Sequence, residues 1–289
     1  MKFTKMHGIG NDYVYINGFE ETINNPAALA VKVSDRHFGI GSDGLIMILP
    51  SDIADVRMRM FNADGSEGRM CGNGVRCVAK YAHDHGLSKN NPLRVETLAG
   101  IKIIELELDD NDKVQAARVD MGTPGLSPQN IPAAIDGEKI INSPVDALDK
   151  TYEMTCVSMG NPHMIIYTDD VAAVELDEIG PVLENLPIFP ERINVHFVQV
   201  VNDGEVVMRT WERGSGITWA CGTGASAVCV AGVLTGRSGR KVLVHLPGGD
   251  LKIEWNEENN HVFMTGPATE VFSGEWLGGT GCCCCSKSR

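Results

Sequence analysis

Cys71-Gly72-Asn73-Gly74-Val75 returns 150 residues later as Cys221-Gly222-Thr223-Gly224-Ala225, and the rest of the chain is organised around this pair. Each string places a thiol just ahead of a glycine-rich turn that opens a run of helical character. Glycine lets a backbone turn sharply and come close to a ligand. A helix start offers free N–H groups and the positive end of a dipole, which suit an anion and stabilise a thiolate.

The same spacing recurs elsewhere. Gly10-Asn11-Asp12-Tyr13 answers to Gly160-Asn161-Pro162-His163, Gly44-Leu45 to Asn194-Val195, and Met58-Arg59-Met60-Phe61-Asn62 to Met208-Arg209-Thr210-Trp211-Glu212, all at 150 residues. Several motif pairs held at one offset indicate an internal duplication. The expected fold class is α/β (α+β), with two pseudosymmetric lobes facing each other across a cleft. The N-terminal lobe is expected over 1–118 and the C-terminal lobe over 119–261. Val262-Phe263-Met264 resembles Val119-Asp120-Met121, so 262–276 is expected to return and complete the first lobe.

A chain of 289 residues can bury a sizeable core in one large domain or two smaller ones. A net charge of -13 argues against a nucleic-acid surface, which needs clustered Lys and Arg. No apolar run reaches the length of a membrane span. Met1-Lys2-Phe3-Thr4-Lys5 leads straight into motif-like sequence, leaving no room for a signal peptide, so a cytoplasmic location is expected. Nine cysteines then read as free thiols. Four of them, Cys282 to Cys285, lie in a small, polar end, 277–289, expected to be disordered and outside the fold. It has neither two separate C-x-x-C pairs nor a C-a-a-X end.

Hydrophobic periodicity marks strands at Phe3 to Met6, Tyr13 to Ile16, Leu45 to Leu49, Val56 to Phe61, Leu93 to Leu98, Ile101 to Leu108 and Val114 to Met121. Helices are expected from Asn25-Pro26 to about His37 and from Cys71 through Tyr81. Gly39-Ile40-Gly41-Ser42-Asp43-Gly44 matches G-x-G-x-x-G, but a helix precedes it and a strand follows, the reverse of a dinucleotide site.

Two such turns facing one another would put a sulfur on each face of one carbon. That arrangement suits removal of a proton from one face and delivery to the other, inverting a stereocentre, because a thiol can serve as base and acid. Donors around a bound carboxylate would stabilise the carbanionic transition state. Such chemistry requires no cofactor, and the sequence carries no P-loop, no H-E-x-x-H and no zinc-style cysteine spacing.

These motifs resemble the diaminopimelate epimerase family. The resemblance is carried by Met70-Cys71-Gly72-Asn73-Gly74, Trp211-Glu212-Arg213-Gly214-Ser215-Gly216, Ala220-Cys221-Gly222-Thr223-Gly224, His7-Gly8-Ile9-Gly10-Asn11-Asp12, Asn161-Pro162-His163 and Arg192-Ile193-Asn194. It spans roughly residues 1 to 276. It implies a curved sheet around a central helix in each lobe, and PLP-independent interconversion of LL- and meso-diaminopimelate in lysine and peptidoglycan biosynthesis. It also implies a homodimer, no cofactor and no metal. By the same resemblance Cys71 and Cys221 are the acid/base thiols. Asn11, Asn62, Asn161, Asn194, Glu212 and Arg213 bind substrate, with Arg213 on the distal carboxylate, and the amides of Asn73-Gly74 and Gly222-Thr223 hold the reacting one. Some members have Gln where this chain has Gly44, and no contact is assigned there.

Competing readings are specific. Cys77, Cys156 and Cys229 sit in apolar stretches and read as buried small hydrophobes. His83-Asp84-His85 reads as a helix end rather than a metal fragment, and His163 as either a substrate-orienting group or filling for a polar pocket. The alternatives to the epimerase are another two-base isomerase, such as a proline or hydroxyproline epimerase, and a non-catalytic thiol switch or metal-binding protein.

Overall fold

A computed structural model describes residues 1–278 of the chain. Of the expected tail only 277 and 278 are therefore described; Cys282 to Cys285 lie outside the described residues.

The first half runs β1 (Lys2–Gly8), β2 (Asn11–Asn17), α1 (Pro26–Ser34), β3 (Gly44–Leu49), β4 (Val56–Asn62), β5 (Glu67–Gly68), α2 (Gly72–Asp84), β6 (Leu93–Thr97), β7 (Gly100–Leu108) and β8 (Val114–Gly122). The second runs β9 (Ser143–Ala147), β10 (Lys150–Ser158), β11 (Pro162–Tyr167), α3 (Leu176–Glu184), β12 (Asn194–Asn202), β13 (Glu205–Glu212), β14 (Gly216–Thr218), α4 (Gly222–Thr235), β15 (Lys241–Leu246), β16 (Gly249–Trp255), β17 (Val262–Pro267) and β18 (Thr269–Glu275).

The pairing repeats along with the order. β1–β2 is antiparallel, β2–β3 parallel and β3–β4 antiparallel; β4–β6 is parallel, and β6–β7 and β7–β8 are antiparallel. β10–β11, β11–β12, β12–β13, β13–β15 and β15–β16–β17 follow the same senses. Even the register is kept, since Tyr13 faces Gly44 and His163 faces Asn194. A one-residue slip would turn each strand's apolar face to water, so a duplicated hydrophobic pattern keeps a duplicated register.

The halves join through antiparallel β8 and β17, with Met264 opposite Val119. β18 adds to β1, as β9 adds to β10. A boundary between 118 and 119 falls inside β8. Of the segment 262–276, β17 pairs with both β16 and β8, while β18 pairs with β1.

Each curved sheet wraps one central helix. α2 packs on β1 and β6 to β8, α4 on β10 to β12 and β15 to β17, and both contribute to one shared apolar core. α4 is apolar all round, as a helix enclosed on every side requires, and it stops at Gly236, left-handed at φ 68°. α1 and α3 lie on the outer faces over cores of their own. No helix among the described residues is long and apolar enough to cross a membrane.

Two helix ends differ from the sequence expectation. α1 stops at Ser34 rather than near His37, because the Asp35 carboxylate accepts the N–H groups of His37 and Phe38 (both 2.8 Å) and draws them out of the helical ladder. α2 continues past Tyr81 to Asp84, and His85 caps it through its N–H to the Tyr81 carbonyl.

Candidate active site

The two cysteines are the N-caps of the two central helices. Cys71 precedes α2 in extended backbone (φ -129°, ψ 121°) and its sulfur accepts the Gly74 N–H at 3.4 Å. Cys221 precedes α4 (φ -129°, ψ 97°) and accepts the Gly224 N–H at 3.3 Å. A thiol here replaces the usual Ser or Asp cap, and the helix N–H groups pull its pKa down. Both cysteines are free thiols.

The helix starts converge on one floor. A Cβ at Gly72 would lie 3.0 Å from the Met264 methyl, and one at Gly222 would lie 2.8 Å from the Met264 sulfur. The Asn73 amide crosses between them, donating to the Ala220 carbonyl at 3.4 Å. The β1–β2 turn closes over from the other side. There a Cβ at Gly10 would touch the Trp219 side chain at 3.4 Å, and Gly248 approaches the Ile9 carbonyl too closely for any side chain.

Burial dominates the electrostatics. Cys71 is partly accessible, yet burial pushes its thiol up; the N–H groups of Gly74 and Asn73 pull it down, Glu212 pushes it up, and Arg76 pulls it down. Cys221 is 3% exposed, and burial followed by the Glu212 carboxylate pushes it well above the ordinary thiol value. A Cys71 charge adds, last and least, to that upward push. Glu212 is itself raised by burial, against which the Thr218 hydroxyl, donating at 2.6 Å, and the Cys221 thiol pull it down.

Of the remaining sequence-named residues, Asn11 and Thr223 reach a sulfur and the others bond elsewhere. Asn11 accepts from the Cys71 thiol at 3.2 Å and donates to Asp43 at 2.8 Å. Thr223 Oγ1 lies 3.7 Å from Cys221. Asn194 donates to the Pro162 carbonyl (2.7 Å) and accepts the Arg213 N–H (3.0 Å), while the Arg213 guanidinium donates to the Glu191 carbonyl at 2.8 Å. Asn161 contacts His163 at 3.0 Å. Asn62 contacts neither thiol; its amide donates to Ser66 Oγ at 2.9 Å in the β4–β5 turn.

His163 is fully buried, 2.8 Å from His196, which in turn reaches Thr210 at 3.0 Å. Burial holds both imidazoles neutral, driving His196 down to about 3, and the neighbouring Arg213 charge reinforces this at His163. These two rings and Cys221 bring three ligand-type atoms within 4.8 Å of one another. The facing ring nitrogens, however, are already satisfied by each other.

Sequence reading missed Asp43, His196 and Glu184. Glu184 is buried at the end of α3, where it accepts from Trp211 (2.7 Å), Gly214 N–H (2.9 Å) and Arg192 (3.0 Å), and so organises the loop carrying Glu212 and Arg213. Its signal was hidden because Pro181 interrupts the helical pattern. Cys77, Cys156 and Cys229 are buried core thiols, as their apolar settings indicate.

This architecture is shared with solved proteins that define the class first. A Bacillus anthracis phenazine biosynthesis protein of the PhzF family superposes with a TM-score of 0.70 at 18% identity, covering 96% of this chain and 99% of that one. A hydroxyproline epimerase from Agrobacterium vitis does so with a TM-score of 0.66 at 15% identity, covering 95% and 90%. At such identities the likeness speaks for the fold alone, a duplicated arrangement of sheet around central helix. The family profile described as Diaminopimelate epimerase matches residues 3–126 and 155–271. A diaminopimelate epimerase from Acetivibrio thermocellus is 58% identical over 275 residues, 95% of this chain and 98% of that protein. The chain belongs to the diaminopimelate epimerase family.

Proposed function

We propose that the chain interconverts LL-2,6-diaminopimelate and meso-diaminopimelate by a two-base transfer between Cys71 and Cys221. One thiolate takes the α-proton from one face, and the other thiol gives its own proton to the opposite face. Each turnover thus leaves the two sulfurs with exchanged protonation states, ready for the reverse direction. The single observation that carries this reading is the pair of thiol caps, each at the start of a buried helix, whose following glycines Gly72 and Gly222 both meet Met264. Helix N–H groups supply the field that favours a thiolate and the carbanion's carboxylate. The water-poor surroundings strengthen that field.

In the same proposal Arg213, anchored through Asn194 and the Glu191 carbonyl, takes the distal carboxylate as a bidentate pair. Asn11, Asn62, Asn161 and Glu212 complete the substrate contacts. With Cys221, Asn194 and Asn73 nearly inaccessible, substrate entry requires the halves to part and close again. A cytoplasmic homodimer is also part of the proposal; light scattering on the purified protein measures the oligomeric state.

The test is α-deuterium incorporation from D2O into diaminopimelate by fully reduced protein. Uptake with inversion is expected, and its absence overturns the reading. In the same assay Arg213→Ala should raise KM about 10- to 100-fold, the value of one charged hydrogen-bonded contact. An unchanged KM removes the distal-carboxylate assignment.

A further inference from the structure

Asn11 opens β2 with its amide shared between two partners. The nitrogen donates to Asp43 Oδ2 at 2.8 Å, and the oxygen accepts the Cys71 thiol at 3.2 Å. What each neighbour can give or take decides which edge of an amide it meets. Asp43 Oδ2 also accepts the Asp12 backbone N–H at 3.1 Å, and Asp43 Oδ1 accepts Arg36 Nη2 at 3.0 Å. Burial and the Asp12 charge raise the Asp43 carboxyl, while the Asp12 N–H, the Asn11 amide and the Arg36 charge pull it back down. A carboxylate ringed by N–H groups offers only acceptors, so it takes the NH2 edge of Asn11 and leaves the carbonyl for the sulfur. The carboxylate is itself fixed from both sides. The Asp43 N–H donates to the Asp12 carbonyl at 2.8 Å, and Arg36 Nη2 bridges to Asp12 Oδ1 at 2.9 Å.

The second half lacks this arrangement. The residue 150 on from Asp43 is Ile193, buried and apolar. Asn161, the counterpart of Asn11, turns its oxygen to His163 Nε2 at 3.0 Å, and Cys221 has Thr223 Oγ1 at 3.7 Å where Cys71 has an asparagine. Towards a thiol, the Asn11 carbonyl accepts the proton; towards a thiolate, it presents only lone pairs. A hydrogen bond made to the neutral form of a group disfavours the charged form. The titratable or charged groups facing Cys71 are Tyr13 and Tyr15 from β2, Arg76 and Cys77 from α2, Glu212 from β13 and Cys221 beside α4. Those facing Asp43 are Asp12 and Tyr13 from β2, Arg36 beyond α1 and Glu212 from β13. Asn11 is the side chain that joins the two sets by direct hydrogen bonds.

We propose that Asp43 is a positioning residue for Cys71: it holds the Asn11 amide with its carbonyl towards the sulfur, keeps the Asn11 N–H groups away from it, and so makes Cys71 the stronger base. This deepens the two-thiol reading and rests on it. Asp43 touches neither sulfur; it acts through the one amide it orients. A proton acceptor of higher pKa has the greater driving force for taking a proton from carbon.

The test reads the sulfur without turnover. Reduced full-length protein is alkylated with iodoacetamide across a pH series, and the rate at the Cys71 peptide is followed by mass spectrometry. Asp43→Ala frees the Asn11 amide to turn its NH2 towards the ionised sulfur, so the Cys71 midpoint should fall by about one unit, with about tenfold more thiolate at a fixed pH below it. Asp43→Asn loses the charge but keeps an oxygen for the Asp12 and Asn11 N–H groups, and should hold the wild-type midpoint. Asn11→Ala should lower the midpoint as well, because the thiol loses its acceptor, and adding Asp43→Ala to it should move the midpoint no further. An equal fall in Asp43→Asn and Asp43→Ala overturns the proposal, since the carboxylate would then act by its charge. So does an unmoved midpoint in folded Asp43→Ala, or a second full shift when Asp43→Ala is added to Asn11→Ala. An Asn11→Ala midpoint at the wild-type value overturns it whether or not Asp43→Ala folds. If instead diaminopimelate takes up no deuterium while these shifts hold, the functional reading fails and the positioning of Asn11 by Asp43 stands.

Discussion

The starts of α2 and α4 have the same cap and opposite surroundings. Both cysteines adopt extended backbone, accept an N–H three residues on at 3.4 and 3.3 Å, and rest their first glycine on Met264. Beneath the first turn of α2 lies the apolar Ile46; beneath that of α4 lies His196, bonded to His163 and Thr210. Arg76 carries a buried charge one turn into α2 where α4 has Ser226. Duplication has kept what a sulfur cap needs locally and changed what distant strands bring against it. In the proposed reaction, the two thiols would therefore work from electrostatically different settings.

Removing either cap should show that the two remain equally necessary. Cys71→Ala and Cys221→Ala are each expected to lower epimerisation at least about 10³-fold, measured by isomer-resolved chromatography, while the fold is kept at a cost of about 1 kcal/mol for the lost cap. Full turnover by either variant would reduce the comparison to one active thiol.

The histidine pair belongs to the second half alone, and it should write a pH dependence into stability. The folded chain keeps His196 neutral down to about 3, whereas the unfolded chain protonates it below 6.5. The unfolded state therefore binds more protons in that window, and stability falls as pH drops through it. His196→Asn, which cannot take the proton, should flatten the slope of Tm against pH between those values. An unchanged slope would mean that the pair is not what distinguishes the second site.

The glycines at the third helical position sharpen the contrast further. A Cβ at Gly224 would lie 2.4 Å from the His196 ring, which is held on both sides, whereas one at Gly74 would meet the mobile end of Ile46 at 2.7 Å. Gly224→Ala should cost about 1–3 kcal/mol by overpacking. Gly74→Ala should be close to neutral, because Ala gains about 1 kcal/mol of helix propensity. Chemical denaturation of both variants checks the order.

Much of this was legible in the chain. The 150-residue offset anticipated a duplicated fold, the thiol-glycine strings anticipated both caps, and alternating patterns marked the first-half strands, because periodicity and capping are local. Less legible was α3, which has no side-chain cap and contains Pro181. Asn62, named with the substrate set, donates its amide to Ser66 within its own hairpin. Gly44 explains itself only through its neighbours: a Cβ there would fall 2.1 Å from the Phe61 carbonyl, so β3 and β4 leave no room for a larger residue.

Sequence was enough to say that two sulfurs would sit at two equivalent helix starts, since a cap is made by residues three apart. It could not say that Arg76 would be sealed between Gly8 and Gly266, or that His196 would lie under Gly224. Those contacts join segments tens to hundreds of residues apart, and they exist only once the strands have paired. A charge's effect depends on the water it has lost and the groups it then faces, and both are properties of the packed molecule.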